Sequence, residues 1–209
     1  MTLPQIELLL GRLGAIAGVA TLAIALVAVF LSLRHAPARE EPGARIVLRG
    51  PALILLSSLF IALAAVLWNP IPLWLAPAPR ASAVLLGALF LFAGLGLYLW
   101  GLLTLRGMFA PSSGFGVRIQ AAHTLVTSGP YRYIRHPMYL AVIVATFGAF
   151  LLYRTWAALF FAAAMFGLVV RARREERILA AEFGTDWQGY ASRVPMWFPG
   201  TRLGHRGAA

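Results

Sequence analysis

The chain has 209 residues, of which 60% are hydrophobic and 12% are charged, and its mean hydropathy is +0.79. An average soluble domain is roughly 45–50% apolar and roughly 25% charged, so this composition excludes a water-covered exterior and predicts an integral membrane protein. Cysteine is absent, which excludes disulfides, thiolate metal sites and cysteine nucleophiles. The 18 basic residues are all arginines and lie between apolar blocks, which is typical of membrane topology and argues against nucleic-acid binding.

Three apolar stretches are long enough to cross a membrane, since a hydrocarbon core about 30 Å thick needs roughly 20 apolar residues in a helix. They run from about Leu8 to Leu33, from Pro51 to Trp68, and from Ser82 to Leu105. The first stretch could also be a signal peptide, because Ala36-Pro37-Ala38, shortly after it, has the small residues of a cleavage site. Its apolar run is far longer than a signal core, which favours a membrane span.

A fourth apolar block, Met138 to Val170, is too long for one span. Its interruption at Tyr153-Arg154-Thr155-Trp156 predicts a helical hairpin with a tight polar turn. The sequence therefore predicts an all-α integral membrane protein with five transmembrane helices, of which the last two form the hairpin.

The arginines predict the orientation of these helices. With five spans, one side receives fifteen arginines, whereas the other receives Arg80 and Arg154, and Arg12 lies within the first span. Arginine is in excess on the cytoplasmic side of membrane proteins. We therefore expect an outside N-terminus and a cytoplasmic C-terminus, as in a protein of the bacterial inner membrane.

The remaining polar residues concentrate in two segments that flank the predicted hairpin, the linker 106–137 and the tail 171–209. Both ends of a hairpin lie at the same membrane face, so we expect a site shared by linker and tail. In the linker, Pro137 suits the first turn of a helix, which places His136 at the start of that helix. Tyr131, Tyr133 and Tyr139 could stack on a ring or face a cation. Alternatively, they form an interfacial aromatic belt.

The tail carries two adjacent acids, Glu175 and Glu176, among arginines. They suit a cationic or polyhydroxyl ligand, although a charge run is usually only a solvated helix end. Phe183-Gly184 predicts a helix end. The aromatic, proline-broken segment that follows is expected to fold back on the membrane face. No nucleotide loop or HExxH motif is present, and with four histidines and no cysteine we expect no metal site.

The residues from His123 to Tyr139, with the predicted hairpin, Glu175-Glu176, Phe183-Gly184 and a terminal VPxxxP, resemble the isoprenylcysteine carboxyl methyltransferase family. The wider group includes membrane phospholipid N-methyltransferases. The resemblance covers about residues 106–200. It implies a division into three N-terminal transmembrane helices, residues 1–105, and a methyltransferase core, residues 106–209.

The resemblance also implies S-adenosylmethionine as cofactor, bound in a cytoplasm-facing pocket between linker, hairpin and tail. The cofactor-binding residues that it implies are His123, Thr124, Leu125, Val126, Tyr131, His136, Pro137, Met138, Tyr139, Glu175 and Glu176. Arg171 aligns with a catalytic arginine that faces the methyl acceptor. Two positions depart from the family pattern, Ala141 for a glycine and Trp187 for a tyrosine.

We expect a lipophilic or lipid acceptor within the membrane. A carboxylate of an isoprenylcysteine-like substrate needs no general base but needs a cation such as Arg171. An amine acceptor of a phospholipid would instead need Glu175 or Glu176 as proton acceptor. Small-thiol methylation, an NADPH-dependent sterol-type reductase and a membrane scaffold or partner subunit without enzymatic activity remain as alternatives.

Overall fold

The computed structural model describes residues 1–35, 38–39, 58–59, 62–105, 119–120 and 125–199. In this part of the chain five α-helices have defined bounds, and residues 62–66 are also helical. The five helices are α1 (Leu3–His35), α2 (Pro77–Leu105), α3 (Pro137–Tyr153), α4 (Trp156–Met165) and α5 (Gly167–Arg193). A 3-10 turn, Gly129–Arg132, precedes α3. Two short strands, β1 (Ala38–Arg39) and β2 (Ile119–Gln120), pair in antiparallel orientation.

Three helical segments of the described chain are long and apolar enough to cross a membrane, as their length and composition show. They are Leu3–Ala28, Pro77–Leu105 and the run through α4 and α5, Trp156–Arg193. The first two agree with the first and third predicted spans. Most of the predicted second span, Pro51 to Trp68, lies outside the described residues, and α3 is shorter, with 17 residues. The five-span count and the hairpin therefore stay predictions.

Helices α2 and α3 pack backbone against backbone. A Cβ atom added to Gly148 of α3 would lie 2.3 Å from the Leu91 nitrogen of α2, and one added to Gly87 would lie 2.6 Å from the Leu152 nitrogen. Small residues allow membrane helices to approach this closely. The buried core along this contact consists of Val84, Leu91, Ala145 and Leu152.

A two-residue turn separates α3 from α4 at the position where the sequence predicts an interruption. Arg154 adopts a left-handed conformation with φ 49° and ψ 43°. The Thr155 side chain then caps α4 by accepting a hydrogen bond from the Ala158 N–H at 3.2 Å, which satisfies one of the orphan donors of the new helix. The polar turn thus ends one helix and starts the next.

Helix α5 continues from α4 after Phe166, and its first helical segment ends at Gly184, as Phe183-Gly184 predicts. Gly184 has a φ of 48° and a ψ of −117°, which are not helical. Glycine adopts positive φ without steric cost, so the residue that predicts a helix end produces a kink. The expectation of a helix end there is confirmed, and a second helical segment follows the kink up to Arg193.

Candidate functional site

The N-terminus of α3 positions the predicted histidine. Pro137 occupies the first turn of α3 and is fully buried, where its missing N–H leaves no donor unsatisfied. His136 directly precedes it and is 5% exposed. The 3-10 turn before it contains buried Pro130. The His136 ring thus lies inside the protein, directly before the first turn of α3.

The two adjacent glutamates of α5 lie against this ring. Nε2 of His136 is 3.3 Å from Oε1 of Glu176, and Nδ1 is 3.9 Å from Oε2 of Glu175. An ionised carboxylate only accepts hydrogen bonds, so Nε2 carries the proton in the contact with Glu176. In the neutral ring Nδ1 is then an acceptor that lies near a carboxylate oxygen. The linker and the tail do meet, as their sequence predicts.

Glu175 differs from Glu176 in its partners. Its Oε2 is buried and accepts no aligned hydrogen bond among the described residues, although the side chain as a whole is 28% exposed and its carboxylate interacts with the Tyr139 hydroxyl. A buried acceptor without a partner costs free energy, about 1–3 kcal/mol for a polar group and more for a charged one. A ligand that offers a donor or a positive charge between Glu175 and Nδ1 of His136 would remove this cost.

Aromatic rings and an arginine enclose the same region. The Tyr139 ring stacks on His136, with centroids 5.6 Å apart and an interplanar angle of 3°. The Arg171 Nε donates a hydrogen bond to the Tyr139 hydroxyl at 2.9 Å, and its guanidinium carbon lies 5.9 Å from the ring centroid. Tyr139 therefore connects His136 to Arg171, the residue expected to face the acceptor.

The tail folds back onto the linker, whereas its expected position on the membrane face stays a prediction. The backbone N–H groups of Arg135 and His136 donate to the carbonyl oxygens of Pro195 and Met196 at 3.0 and 3.4 Å. The Trp197 ring lies 5.8 Å from that of His136. The C-terminal segment thus forms one wall of the site.

A second tie between tail and linker comes from a buried tyrosine. The Tyr190 hydroxyl donates to the Tyr131 carbonyl oxygen at 2.7 Å.

Burial raises the pKa of the Tyr131 phenol, and the nearby Glu175 carboxylate raises it further. The Tyr131 hydroxyl is therefore protonated at neutral pH and can donate a hydrogen bond.

Arg135 is a site residue that the sequence reasoning missed. Its Nε lies 3.0 Å from Oε1 of Glu176, and its guanidinium carbon lies 5.7 Å from the centroid of the Trp187 ring. This contact is an ion pair and not a hydrogen bond, because the Nε–H of Arg135 does not point at an acceptor among the described residues. Its position directly before His136 in the sequence could have identified it as a site residue.

The other predicted site residues are placed less directly. His123 and Thr124 lie outside the described residues, whereas Leu125 and Val126 are half-buried just before the 3-10 turn. Met138 is 8% exposed, and a Cβ added to Gly101 of α2 would lie 2.7 Å from its Cγ. Met138 therefore packs against α2 at the edge of the site.

Both departures from the family pattern are accommodated. Ala141 is fully buried, and a Cβ added to Gly94 of α2 would lie 2.7 Å from the Ala141 carbonyl oxygen. The glycine of the neighbouring helix thus allows α2 to approach the backbone of α3 at Ala141. Trp187, in place of a tyrosine, is buried beneath the Arg135 guanidinium.

Comparison with known proteins identifies the same region. Residues 85–181 match the model of the isoprenylcysteine carboxyl methyltransferase (ICMT) family, which confirms the family resemblance. The matched segment contains His136, Tyr139, Arg171, Glu175 and Glu176.

Three curated relatives are similar to parts of the chain. Methanethiol S-methyltransferase 2 of Bradyrhizobium diazoefficiens is 33% identical over 153 residues, 70% of this chain and 58% of that protein. Protein-S-isoprenylcysteine O-methyltransferase of Schizosaccharomyces pombe is 32% identical over 83 residues, 37% of this chain and 34% of that protein. Cobalt-zinc-cadmium resistance protein CzcN of Cupriavidus metallidurans is 38% identical over 79 residues, 37% of this chain and 36% of that protein. The chain thus spans between about a third and three fifths of their lengths.

Proposed function

We propose that this chain, whose residues 85–181 match the isoprenylcysteine carboxyl methyltransferase family, is a membrane enzyme that transfers a methyl group from S-adenosylmethionine to a lipophilic acceptor. Two of the relatives carry names of methyltransferases, and they act on different acceptors by name. The reaction type is therefore supported more strongly than any one acceptor.

The observation that carries the proposal is the buried Oε2 of Glu175, which has no hydrogen-bond partner among the described residues. S-adenosylmethionine, when bound, supplies an electrophilic methyl group on a positively charged sulfonium. Its sulfonium and ammonium groups are cations, and its ammonium and ribose hydroxyl groups are hydrogen-bond donors. Either kind of group would give this carboxylate oxygen the partner that it lacks among the described residues. The aromatic rings of Tyr139 and Trp197 beside His136 also suit a cation or a flat base. The residues present thus fit the cofactor.

Several residues would hold the cofactor, in different ways. Glu175 would contact it directly, whereas Glu176, already paired with Arg135 and His136, would fix the His136 ring. Tyr131 would offer its hydroxyl, and Pro137, Met138 and Tyr139 would shape the wall. The backbone of residues 123–126 would complete the set that the family resemblance implies.

For the acceptor, we favour a carboxylate such as that of an isoprenylcysteine. Arg171 would hold and orient it through charge-assisted hydrogen bonds. The Tyr139 hydroxyl, which accepts a hydrogen bond from the Arg171 Nε, would fix the position of the guanidinium. A carboxylate is ionised at neutral pH, so no side chain has to remove a proton. Alignment and exclusion of water would then be the main contribution of the protein.

A small thiol is the second candidate, because the relative with the longest matched segment, 153 residues, is named a methanethiol S-methyltransferase. A small alkyl thiol is mostly protonated at neutral pH, since it is no more acidic than the cysteine thiol, whose reference pKa is about 8.5. Its proton needs an acceptor, and Glu175 is the residue with a buried oxygen available. A phospholipid amine would place the same demand on Glu175 or Glu176.

Incubation of the purified protein in lipid nanodiscs with S-adenosylmethionine labelled in its methyl group tests the proposal. The acceptors are a farnesylcysteine analogue, methanethiol and a phosphatidylethanolamine extract, each offered separately. A carboxyl methyl ester releases its label as methanol in alkali, whereas S-methyl and N-methyl products do not. We expect alkali-labile label on the farnesylcysteine analogue. Absence of label from all three acceptors would contradict the proposal.

A further inference from the structure

A second charged cluster lies at the end of the helices opposite to the candidate site. Glu7 of α1 pairs with Arg80 of α2 and with Arg154 of the turn after α3. Helix α3 has 17 residues, about 25 Å at 1.5 Å per residue, and it separates this turn from His136. The cluster therefore belongs to neither the cofactor nor the acceptor region.

A cavity of about 480 Å³ opens beside this cluster. Glu7, Arg80, Tyr153 and Arg154 line its polar side, and the segment 70–75 lines the other. Ligand sites of proteins have volumes of roughly 300–1,000 Å³. The turn that carries Arg154 is held in place, since its carbonyl oxygen accepts a hydrogen bond from the Ile71 N–H at 2.8 Å.

The charges of the cluster do not balance. Arg80 reaches Oε2 of Glu7 with Nε at 2.9 Å and with Nη2 at 2.8 Å, and Arg154 pairs with Oε1 of the same carboxylate. One acid thus serves two guanidinium groups. Arg154 and Glu7 are 16% and 19% exposed, and an uncompensated charge is costly at a partly buried position beside membrane-spanning helices. Among the described residues, the cluster therefore carries one positive charge in excess, which a bound anion would neutralise.

The arginine atoms that remain can bind such an anion. Each guanidinium has five N–H donors in a planar fork that matches phosphate. The Nη1 of Arg80 donates to none of the described residues, and the Arg80 side chain is 42% exposed on the cavity. Arg80 can therefore approach a ligand without leaving Glu7. Arg154 is more constrained, because its Nη1 donates to the Leu151 carbonyl oxygen at 3.1 Å and its Nη2 pairs with Glu7.

The rim of the cavity is apolar and open. Trp74 is 99% exposed and Leu73 is 54% exposed, and both lie on the lining segment. Tryptophan is enriched at membrane–water interfaces, where its ring sits at the headgroup level. A ligand with a phosphate and an attached apolar part fits this combination better than a free ion does.

We propose that this cavity binds the phosphate of an anionic phospholipid headgroup, with Arg80 on the phosphate, Arg154 contributing its positive charge from behind Glu7, and Trp74 beside the glycerol and acyl region. Glu7 keeps the two guanidinium groups together and limits the affinity, because its carboxylate competes with the phosphate. The site is separate from the proposed methyl transfer and does not depend on it.

Native mass spectrometry of the protein released from nanodiscs of phosphatidylglycerol and phosphatidylcholine tests this proposal. We expect a retained phosphatidylglycerol molecule on the wild type and at least a threefold loss of that adduct in Arg80→Gln. Arg174→Gln, which changes an exposed arginine of α5, is the matched control and should retain the lipid. Glu7→Gln should raise the retention, because it removes the competing charge.

A second arm adds inorganic phosphate before release. Lipid that survives the addition supports the headgroup site, whereas displacement of the lipid by phosphate from both the wild type and Arg174→Gln would assign the site to a soluble anion and overturn the proposal. Equal lipid retention in the wild type and Arg80→Gln would overturn the proposal, as would equal losses in Arg80→Gln and Arg174→Gln. Size-exclusion chromatography and thermal unfolding of each variant show that a loss does not come from unfolding.

Discussion

Nε2 of His136 lies 3.3 Å from Oε1 of Glu176, although the two residues stand forty positions apart in the chain. The first belongs to the linker before α3, and the second lies on α5. This contact brings the two polar segments of the predicted membrane protein into a single site. Glu175, the neighbour of Glu176, then has a buried oxygen directed at the same region.

Replacement of Arg135 by lysine tests the tie between linker and tail. Lysine keeps the charge but loses the planar guanidinium that pairs with Glu176 and lies over Trp187, and the two side chains are not interchangeable at stacked sites. We expect Arg135→Lys to lower the free energy of unfolding by about 1 kcal/mol, measured as a lower Tm in detergent. Arg132→Lys, at an exposed position nearby, should leave the Tm unchanged. Equal Tm values for both variants would contradict this role.

The hydrogen bond from Tyr190 to the Tyr131 carbonyl oxygen can be removed without changing the ring. Tyr190→Phe should cost about 1 kcal/mol, because the buried carbonyl loses its donor. Thermal unfolding measures this cost, and limited proteolysis should show faster cleavage of the tail. Tyr133, which is 54% exposed, provides the control variant Tyr133→Phe. A tail that resists protease equally in both variants would argue against docking through Tyr190.

Gly94 and Gly96 lie two positions apart on α2 but meet different surroundings. A Cβ on Gly94 would lie 2.6 Å from the backbone nitrogen of Ala145, whereas one on Gly96 would have no atom within 4 Å. Gly94→Ala should therefore destabilise the protein by about 1–3 kcal/mol through overpacking, and Gly96→Ala should not. Unfolding of the two variants side by side measures the difference. A Gly96→Ala variant that is equally unstable would contradict the close contact of α2 and α3.

Arg171→Gln tests the role proposed for the acceptor cation. If Arg171 holds a carboxylate, its loss removes charge-assisted hydrogen bonds of about 1.5–3 kcal/mol, which raises the KM for the farnesylcysteine analogue roughly tenfold or more. The affinity for S-adenosylhomocysteine should change much less. Arg174→Gln, exposed on the same helix, is the control. An unchanged KM in Arg171→Gln would exclude a carboxylate held at this residue.

The sequence predicts the elements of this protein better than their pairings. Hydropathy locates α1 and α2 to within about five residues, and Pro137 correctly places His136 at the start of α3. The interruption at Tyr153-Arg154-Thr155-Trp156 also coincides with the break between α3 and α4. These features are local, because a helix start or a polar turn is determined by neighbouring residues.

Contacts between distant residues were harder to predict. The cluster of Glu7, Arg80 and Arg154 joins positions 73 and 147 residues apart, and no periodicity relates them. The arginine count placed Arg80 and Arg154 on one side of the membrane but could not pair them with Glu7. Phe183-Gly184, by contrast, is a local signal and correctly predicts the break in the helix, because glycine adopts positive φ without steric cost, and a second helical segment follows it up to Arg193.

Calorimetric titration of S-adenosylhomocysteine into the purified protein tests the central claim most directly. We predict binding by the wild type and by Glu182→Gln, an exposed acid on the same helix, and binding at least tenfold weaker by Glu175→Gln. The Tm of Glu175→Gln should not fall, because the substitution removes a charge from a half-buried side chain whose buried Oε2 accepts no aligned hydrogen bond among the described residues. Wild-type protein that binds no S-adenosylhomocysteine at millimolar concentration, or binding that is equal in Glu175→Gln, would contradict the account.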